Sequence, residues 1–209
     1  MGKFSVLALT IGMAAAGCVP ANAAPILAAQ FTTSQASLAN NTNASFGFSF
    51  TATSAIIIDA LAYHTPGTGG GAVRLYNSAG TTLASALVLQ SDPTATTGGY
   101  TYNVAGITPL ALTAGSTYYI AADVPQSSPI VLFAAVGLTT VPGVSYGGGV
   151  VQAGYGNPLS DVLNQPNSYF TANFEVASAA PEPASFGLIG LARFALVLYR
   201  RRQTRRGPC

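Results

Sequence analysis

Short runs of alternating apolar and small or polar residues, separated by clusters of glycine, proline and asparagine, fill the middle of this chain. Phe46, Phe48 and Phe50 alternate with small residues, which is the period-two pattern of a strand with one buried face. Asn77–Gly80 places turn residues between two further runs and predicts a hairpin. No ten-residue stretch of this region has a convincing helical period. The pattern therefore predicts an all-β fold.

The runs recur at near-regular spacing, which predicts an antiparallel β-sandwich that is jelly-roll-like. Besides the strand around Phe48, the predicted strands are Ala55–Tyr63, Val73–Tyr76, Thr81–Leu89, Tyr100–Val104, Ser116–Val124, Ile130–Val136 and Tyr169–Val176. In one of them, Tyr118, Ile120 and Ala122 are expected to share a face. Residues 141–167 are rich in glycine, proline and asparagine, so we expect long surface loops there with one or two short strands.

Charge is scarce and is concentrated at the ends of the chain. Charged residues make up 7% of the sequence, and seven of the eight basic residues lie in the first three or last seventeen positions. Between residues 24 and 180 the only basic residue is Arg74, and the net charge is −4. The five acidic residues of this region are Asp59, Asp92, Asp123, Asp161 and Glu175. Because binding to nucleic acid requires many basic side chains, this composition excludes it.

The first 23 residues have the layout of an export signal. Lys3 provides a positive start, and Phe4–Ala16 is an apolar run too short to span a bilayer comfortably. Ala21-Asn22-Ala23 supplies the small residues that a signal peptidase reads. The segment therefore predicts a signal helix, cleavage after Ala23 and a mature chain that begins at Ala24.

A second processing route competes with this cleavage. Ala15-Ala16-Gly17-Cys18 is similar to a bacterial lipobox, in which the cysteine is lipidated and becomes the first residue. The lipobox family prefers leucine where Ala15 stands. The other cysteine is Cys209, so the predicted mature domain contains none and must be stable without a disulfide.

The C-terminal segment has three features in a fixed order. Pro181-Glu182-Pro183 comes first, the apolar stretch Phe186–Tyr199 follows, and Arg200-Arg201-Arg202 comes last. The prolines keep the motif extended and open to a protease, and arginines on the cytoplasmic side stop transfer with the domain outside. The segment resembles the PEP-CTERM sorting signal of Gram-negative bacteria, which an exosortase recognises and is thought to cleave.

That resemblance covers residues 181–206 and implies a location and partners. It implies an exported protein that a hydrophobic helix anchors transiently in the inner membrane, that the exosortase processes, and that ends at the cell surface or outside the cell. Such proteins commonly belong to organisms that make exopolysaccharide, which is therefore an implied partner. Arg193 departs from the family pattern, since a mid-helix arginine costs about 2.5–3.5 kcal/mol on insertion. Gln203–Cys209 also extends past the family's usual end.

The body carries a second resemblance. Residues 48–55, 73–85 and 112–120 resemble parts of an uncharacterised β-sandwich domain of bacterial surface proteins. That domain has no established function, so the resemblance implies the fold alone. The chain is thus divided into a signal at 1–23, a β-sandwich domain with an extended N-terminal lead-in at 24–178, and a sorting segment at 181–206.

Two apparent catalytic or cofactor motifs lack the sequence context that they require. Gly143–Gly147 matches the G-x-S-x-G nucleophile elbow around Ser145, but the elbow needs a following helix and a later histidine, and the single histidine, His64, comes earlier. Gly67-x-Gly69-x-x-Ala72 matches the dinucleotide fingerprint, but a strand and not a helix is predicted after it. We therefore predict no catalytic residue, no cofactor, no assigned metal site and no enzymatic activity.

The remaining reactive side chains are isolated in sequence. His64 is followed by Thr65-Pro66 and is expected to face solvent in a loop. The acidic residues are expected at solvated strand ends and turns. Two distant aspartates that meet around one calcium ion stay an alternative, and nothing selects a pair for glycosidase chemistry.

Five tyrosines lie in or near predicted turns, where tyrosine either stacks on sugars or covers the end of a sandwich. They are Tyr100, Tyr102, Tyr146, Tyr155 and Tyr169. Two functions of different classes follow. The first is a non-catalytic structural or adhesive module, which the low charge and the abundant threonine and serine favour. The second is a carbohydrate-binding, lectin-like module or, failing that, a glycan-active hydrolase.

Overall fold

The computed structural model describes residues 26–37, 43–64, 70–126, 131–157 and 167–177. These ranges contain thirteen strands and no helix, so they include no helical segment that could cross a membrane. The predicted signal helix and the predicted C-terminal helix lie outside them. The strands are β1 (Ala29–Gln30), β2 (Thr33–Ser37), β3 (Ala44–Ala52), β4 (Ile56–Tyr63), β5 (Gly71–Asn77), β6 (Thr82–Val88), β7 (Thr94–Thr97), β8 (Tyr100–Leu112), β9 (Thr117–Val124), β10 (Val131–Val136), β11 (Thr139–Thr140), β12 (Val144–Ala153) and β13 (Ala172–Val176).

Nine of these strands form two antiparallel sheets. The larger sheet has the order β12-β3-β9-β5-β6, and the smaller has the order β13-β4-β8-β7. The chain changes sheet after β3, β4, β6, β8 and β12. Two small antiparallel pairs, β1 with β11 and β2 with β10, complete the described fold. The all-β, antiparallel prediction is confirmed for the described residues.

One hydrophobic core lies between the two sheets. Phe50 of β3 and Phe174 of β13 are fully buried, and their ring centroids are 4.6 Å apart. Tyr118, Ile120 and Ala122 of β9 all point into this core, as their alternation predicted. Two sheets that pack face to face over such a core are consistent with a β-sandwich.

The hairpin of β5 and β6 confirms the turn prediction. Asn77 Oδ1 accepts hydrogen bonds from the backbone N–H groups of Ala79 and Thr81, at 3.0 and 2.9 Å. Gly80 has a φ of 83°, a left-handed conformation that glycine adopts without steric cost. The side chain of Asn77 thus closes the turn locally, which is why the sequence signal was readable.

The prediction of loops over residues 141–167 is wrong at β12, a ten-residue strand that pairs with β3. Its glycines fit that strand for a local reason. The register shifts between Tyr146 and Gly148, which marks a β-bulge. A Cβ on Gly147 would lie 2.5 Å from Ser49 Oγ of β3, so a larger residue there would displace the Ser49 side chain. The predicted strand Tyr100–Val104 is also too short, because β8 continues to Leu112.

The N-terminal lead-in is extended, and side chains of the two edge strands of the smaller sheet hold it. Asn173 of β13 accepts a hydrogen bond from the Ala29 N–H and donates one to the Ala29 carbonyl, at 3.1 and 2.8 Å. The Phe31 N–H donates to Thr97 Oγ1 of β7, at 2.8 Å. These contacts link residues far apart in sequence and satisfy the backbone of the lead-in.

Candidate functional site

The predicted processing residues lie outside the described ranges. These are the signal cleavage residues Ala21, Ala23 and Ala24, the sorting motif Pro181, Glu182 and Pro183, and the arginine cluster Arg200, Arg201 and Arg202. Cys18, Arg193 and Asp161 also lie outside them. The geometry of the described residues therefore bears on the central domain alone.

Ser145 lies inside a strand. It belongs to β12 and pairs with Thr51 of β3 in an antiparallel ladder. A nucleophile elbow is a sharp turn from a strand into a helix. Residues 144–153 instead form one strand, without a turn into a helix after Ser145. The match to G-x-S-x-G therefore reflects the glycine-rich composition and not a nucleophile elbow.

His64 is buried, so the prediction that it faces solvent is wrong. Its Nδ1 lies 2.6 Å from the carbonyl oxygen of Thr101, which only accepts, so Nδ1 carries the proton. The rings of Tyr100 and Tyr102 pack against it, with centroids 5.2 and 5.5 Å away. Burial lowers the pKa of His64, and the hydrogen bond to Thr101 opposes this only in part. A neutral imidazole thus forms part of the packing between β4 and β8.

Among the described residues, His64 Nε2 and Thr171 Oγ1 are buried without a hydrogen-bond partner. The two residues are neighbours, because the His64 N–H donates to the Thr171 carbonyl at 2.9 Å. They do not make a metal site, since the described ranges hold no group of three or more His, Cys, Asp or Glu side chains placed to bind a metal ion.

Two of the five predicted loop tyrosines are structural. Tyr102 is fully buried, and its hydroxyl donates to the Phe170 carbonyl. The hydroxyl of Tyr146 donates to the Ser168 carbonyl at 3.1 Å. Burial raises the pKa of Tyr146 to about 12. These two hydrogen bonds hold residues 168–170 against the sheets, so both side chains have a structural role.

The other three tyrosines differ in exposure. The hydroxyl of Tyr100 donates to the Ser34 carbonyl at 2.9 Å and so helps to hold the lead-in. Tyr169 packs on Phe46, with ring centroids 5.5 Å apart. Tyr155 is 50% exposed and stands open to solvent. The five do not form one sugar-stacking platform.

A polar network occupies the outer face of the larger sheet. Arg74 Nη1 of β5 lies 2.6 Å from Asp123 Oδ2 of β9, and Ser45 Oγ of β3 donates to Asp123 Oδ1 at 2.8 Å. The Gly156 N–H donates to Ser45 Oγ at 3.0 Å, and the Tyr76 hydroxyl donates to the Gly156 carbonyl at 3.1 Å. Residues 154–157 therefore form a strap over the network. The prediction that Asp123 is solvated is wrong, because it is 9% exposed and ion-paired.

A carboxylate pair lies on the smaller sheet. Glu175 of β13 is opposite Ala60 of β4. β4 pairs with β13 on one side and with β8 on the other, and the register of both pairings shifts next to Asp59. Within the described ranges, Asp59 Oδ1 and Glu175 Oε1 are buried without a hydrogen-bond partner. Burial and, to a smaller extent, the charge of Asp59 raise the pKa of Glu175 to about 7. Glu175 therefore exchanges its proton near neutral pH.

Sequence reasoning missed both groupings of charge. Asp59 and Glu175 are brought together by the antiparallel pairing of β4 with β13, and Arg74 and Asp123 by that of β5 with β9. No local motif encodes such pairings. Asp92, by contrast, accepts a hydrogen bond from the Leu89 N–H at 2.8 Å within a turn, as its sequence context predicted.

A cleft lies between β6 and β8, beside strands that carry these charged groups. Its lining residue Ser85 is opposite Arg74 in the pairing of β5 with β6, and its lining residue Leu110 is opposite Ile58, next to Asp59. Its volume is about 330 Å³. It is lined by Leu83, Ala84, Ser85, Ile107, Thr108, Pro109 and Leu110, from β6 and β8. None of these lining side chains is ionisable, so neither carboxylate of the pair lines the cleft.

Comparison of the chain with family models, with curated proteins and with solved structures finds no match.

Proposed function

We propose that this protein is an exported, exosortase-sorted protein of the cell surface or the extracellular matrix, with its β-sandwich acting as a non-catalytic structural or adhesive module. The observation that carries the proposal is the sequence of the C-terminal segment. Pro181-Glu182-Pro183, an apolar stretch and Arg200-Arg201-Arg202 follow one another in the order of a PEP-CTERM signal, in a chain that begins with an export signal.

The proposed fold is a jelly-roll-like sandwich. Nested pairing of strands supports it, because β3 pairs with β9 and β4 pairs with β8, so an outer antiparallel pair encloses an inner one on the opposite sheet. The chain also crosses between the sheets repeatedly. One feature departs from an ideal jelly roll, since β5 pairs with both β6 and β9 in the same sheet.

The proposal of a non-catalytic role rests on how the reactive groups are used. Arg74 is engaged by Asp123, His64 is buried among tyrosine rings, and Ser145 lies within a sheet. Catalytic acids and nucleophiles need access to a reacting group in a cleft. The described cleft is lined by apolar, hydroxyl and proline side chains, which favours packing or adhesion over chemistry.

The intact mass of the protein, recovered from its native host after separation of cells, outer membrane and medium, tests this proposal. We expect a species that starts at Ala24 and ends near the Pro181-Glu182-Pro183 motif, in the surface or medium fraction. A species that retains Arg200–Cys209 in the inner membrane would overturn the sorting proposal, and a mass that includes lipidated Cys18 would assign the other export route.

Two variants sharpen the experiment. Alanine in place of Pro181, Glu182 and Pro183 is expected to abolish processing and leave the chain in the inner membrane. The matched control replaces Arg205 and Arg206, which lie beyond the arginine cluster, and is expected to be processed normally. Equal processing of both variants would contradict recognition of the motif.

A second function, carbohydrate binding, is favoured by one observation. Tyr155 stands half exposed on the strap beside the network of Arg74, which gives a ring face next to hydrogen-bonding groups. Pull-down on exopolysaccharide from the host tests it, with Tyr155→Ala against Tyr155→Phe. Binding that is lost in Tyr155→Ala and kept in Tyr155→Phe supports a stacking site, and absence of binding by the parent protein rejects it.

A further inference from the structure

The outer edge of β6 stands out among the sheet edges of this domain. β6 ends the larger sheet and pairs with β5 on one side, and no described strand pairs with its other side. Its seven residues, Thr82–Val88, include no charged residue and no proline. An uncharged edge of this length presents a row of free N–H and C=O groups to another strand.

The other sheet edges carry features that discourage pairing. β7 has only four residues, and β12 is interrupted by a bulge. The exposed part of β8 contains Pro109 within a stretch where its register with β4 shifts. The edge of β13 is covered by the lead-in, whose Ala28 N–H donates to the Phe174 carbonyl at 2.7 Å. Short strands, bulges, prolines and covering segments are the usual protections of a sheet edge. β6 has no proline, and no described strand pairs with its outer edge. Its one register shift against β5 lies at Leu83, next to the hairpin turn, and Ala84–Val88 keep a regular register.

The sequence of β6 is self-complementary. Leu83-Ala84-Ser85-Ala86-Leu87 reads the same in both directions, with Ser85 at its centre. In a two-fold antiparallel pair centred on Ser85, leucine lies opposite leucine and alanine opposite alanine. Such pairs of matched apolar residues stabilise neighbouring strands, and no like charges meet.

The outward-pointing side chains of β6 are open to solvent, and two of them are leucines. Leu87 is 65% exposed and Leu83 is 37% exposed, with the exposed Ser85 between them. The apolar cleft is lined by three consecutive residues of this strand, Leu83, Ala84 and Ser85, together with Ile107 of β8. A strand added at this edge would therefore cover exposed apolar surface of β6.

We propose that two copies of this protein associate by antiparallel pairing of β6 with β6 about a two-fold axis at Ser85. Leu83 of one copy then lies opposite Leu87 of the other, and the two larger sheets become one continuous sheet of ten strands. A two-fold pairing uses the same edge on both copies and closes the assembly at two. This inference goes beyond the function proposed above and does not depend on the route of export.

The size of the contact sets its strength. Two seven-residue strands bury less than the roughly 1,600 Å² of a standard protein interface. We therefore expect weak association, with a dissociation constant of about micromolar order or above. For a module held at a surface or in a matrix, high local concentration compensates for weak pairing.

Cysteine cross-linking tests the register directly. The experiment uses the full chain in mild detergent, with Cys18 and Cys209 replaced by serine. Ser85→Cys is expected to form a disulfide-linked dimer on mild oxidation, because directly opposed residues of antiparallel strands have Cα atoms about 4.5–5.5 Å apart. Leu83→Cys is the matched control, since its two copies would be about 13 Å apart along the strands. A mixture of Leu83→Cys and Leu87→Cys is expected to cross-link.

Equal cross-linking of Ser85→Cys and Leu83→Cys, or no cross-linking of Ser85→Cys, would overturn the proposal. A second measurement covers the case in which the cysteine variants behave poorly. In sedimentation of the full chain, Ser85→Lys is expected to weaken dimerisation by about fivefold, because two lysines meet at the axis. Thr96→Lys adds the same charge on β7 and is expected to leave dimerisation unchanged. An equal effect of the two substitutions rejects pairing through β6.

Discussion

Each sheet of this domain carries one pair of ionisable side chains, and the two pairs are built in opposite ways. On the larger sheet, Arg74 faces Asp123, and Ser45 supplies a further hydrogen bond to the carboxylate. On the smaller sheet, Asp59 and Glu175 are both acidic, and each has a buried oxygen that no described residue bonds. In the first pair the two opposite charges compensate each other, whereas in the second a proton on Glu175 removes one of two like charges.

The scarcity of basic residues explains why the two pairs differ. Between residues 24 and 180 the only lysine or arginine is Arg74, and it forms an ion pair with Asp123. Asp59 and Glu175 then lie together with no cation of that region left for them. Because burial and, to a smaller extent, the neighbouring charge of Asp59 raise the pKa of Glu175 to about 7, Glu175 keeps its proton up to about that pH. Stability is therefore expected to depend on pH through the smaller sheet.

Breaking the first pair has the largest expected effect. Asp123→Ala leaves Arg74 without its counter-charge and Ser45 without an acceptor, so we expect a loss of about 2–3 kcal/mol in the free energy of unfolding; the partial exposure of Arg74 places this below the value for a fully buried pair. Urea denaturation at pH 7 measures it. The double variant Arg74→Met with Asp123→Ala is the control and is expected to recover part of the loss. If the loss in the double variant equalled the sum of the losses in Arg74→Met and Asp123→Ala, the two side chains would not be coupled.

Removing the charge of Glu175 from the second pair is expected to raise, and not lower, the free energy of unfolding. Glu175→Gln is expected to stabilise the domain by roughly 1–2 kcal/mol at pH 8 and to leave it nearly unchanged at pH 4. The full difference between a pKa of 4.5 and about 7 corresponds to roughly 3 kcal/mol, and the partial exposure of Glu175 reduces it. Thermal unfolding of parent and variant across this pH range is the measurement.

The direction of this pH dependence follows from the difference between the pKa of Glu175 in the folded and in the unfolded protein. The pKa of Glu175 is raised on folding, so its favourable contribution is fully present below about pH 4.5 and is lost as the pH rises to about 7. The parent protein should therefore lose stability over that window, and Glu175→Gln should not. A parent whose stability is flat between pH 4.5 and 7.5, or a variant that keeps the parent's slope, would contradict the role of Glu175.

The sequence predicted the features that local chemistry determines. The alternation in β9 and the turn residues at Asn77–Gly80 were sufficient, because period-two burial and an asparagine-closed turn are read from neighbouring residues. β12 was missed because its glycines suit both a loop and a strand that bulges against Ser49. The charged pairs were missed because Asp59 and Glu175 meet only through long-range strand pairing, which a single sequence does not encode locally.

The substitution with the smallest expected effect, Asp59→Asn, distinguishes the two causes of the raised pKa of Glu175. Asp59→Asn removes the neighbouring charge and leaves the burial of Glu175, which is the larger cause of its raised pKa. We therefore expect the pKa of Glu175 to fall from about 7 but to stay above 4.5, with a gain of less than about 1 kcal/mol at pH 8. NMR titration of the Glu175 carboxyl resolves this shift. A pKa that returns to 4.5 would make the charge of Asp59 the main cause, and an unchanged pKa would show that the two carboxylates do not interact.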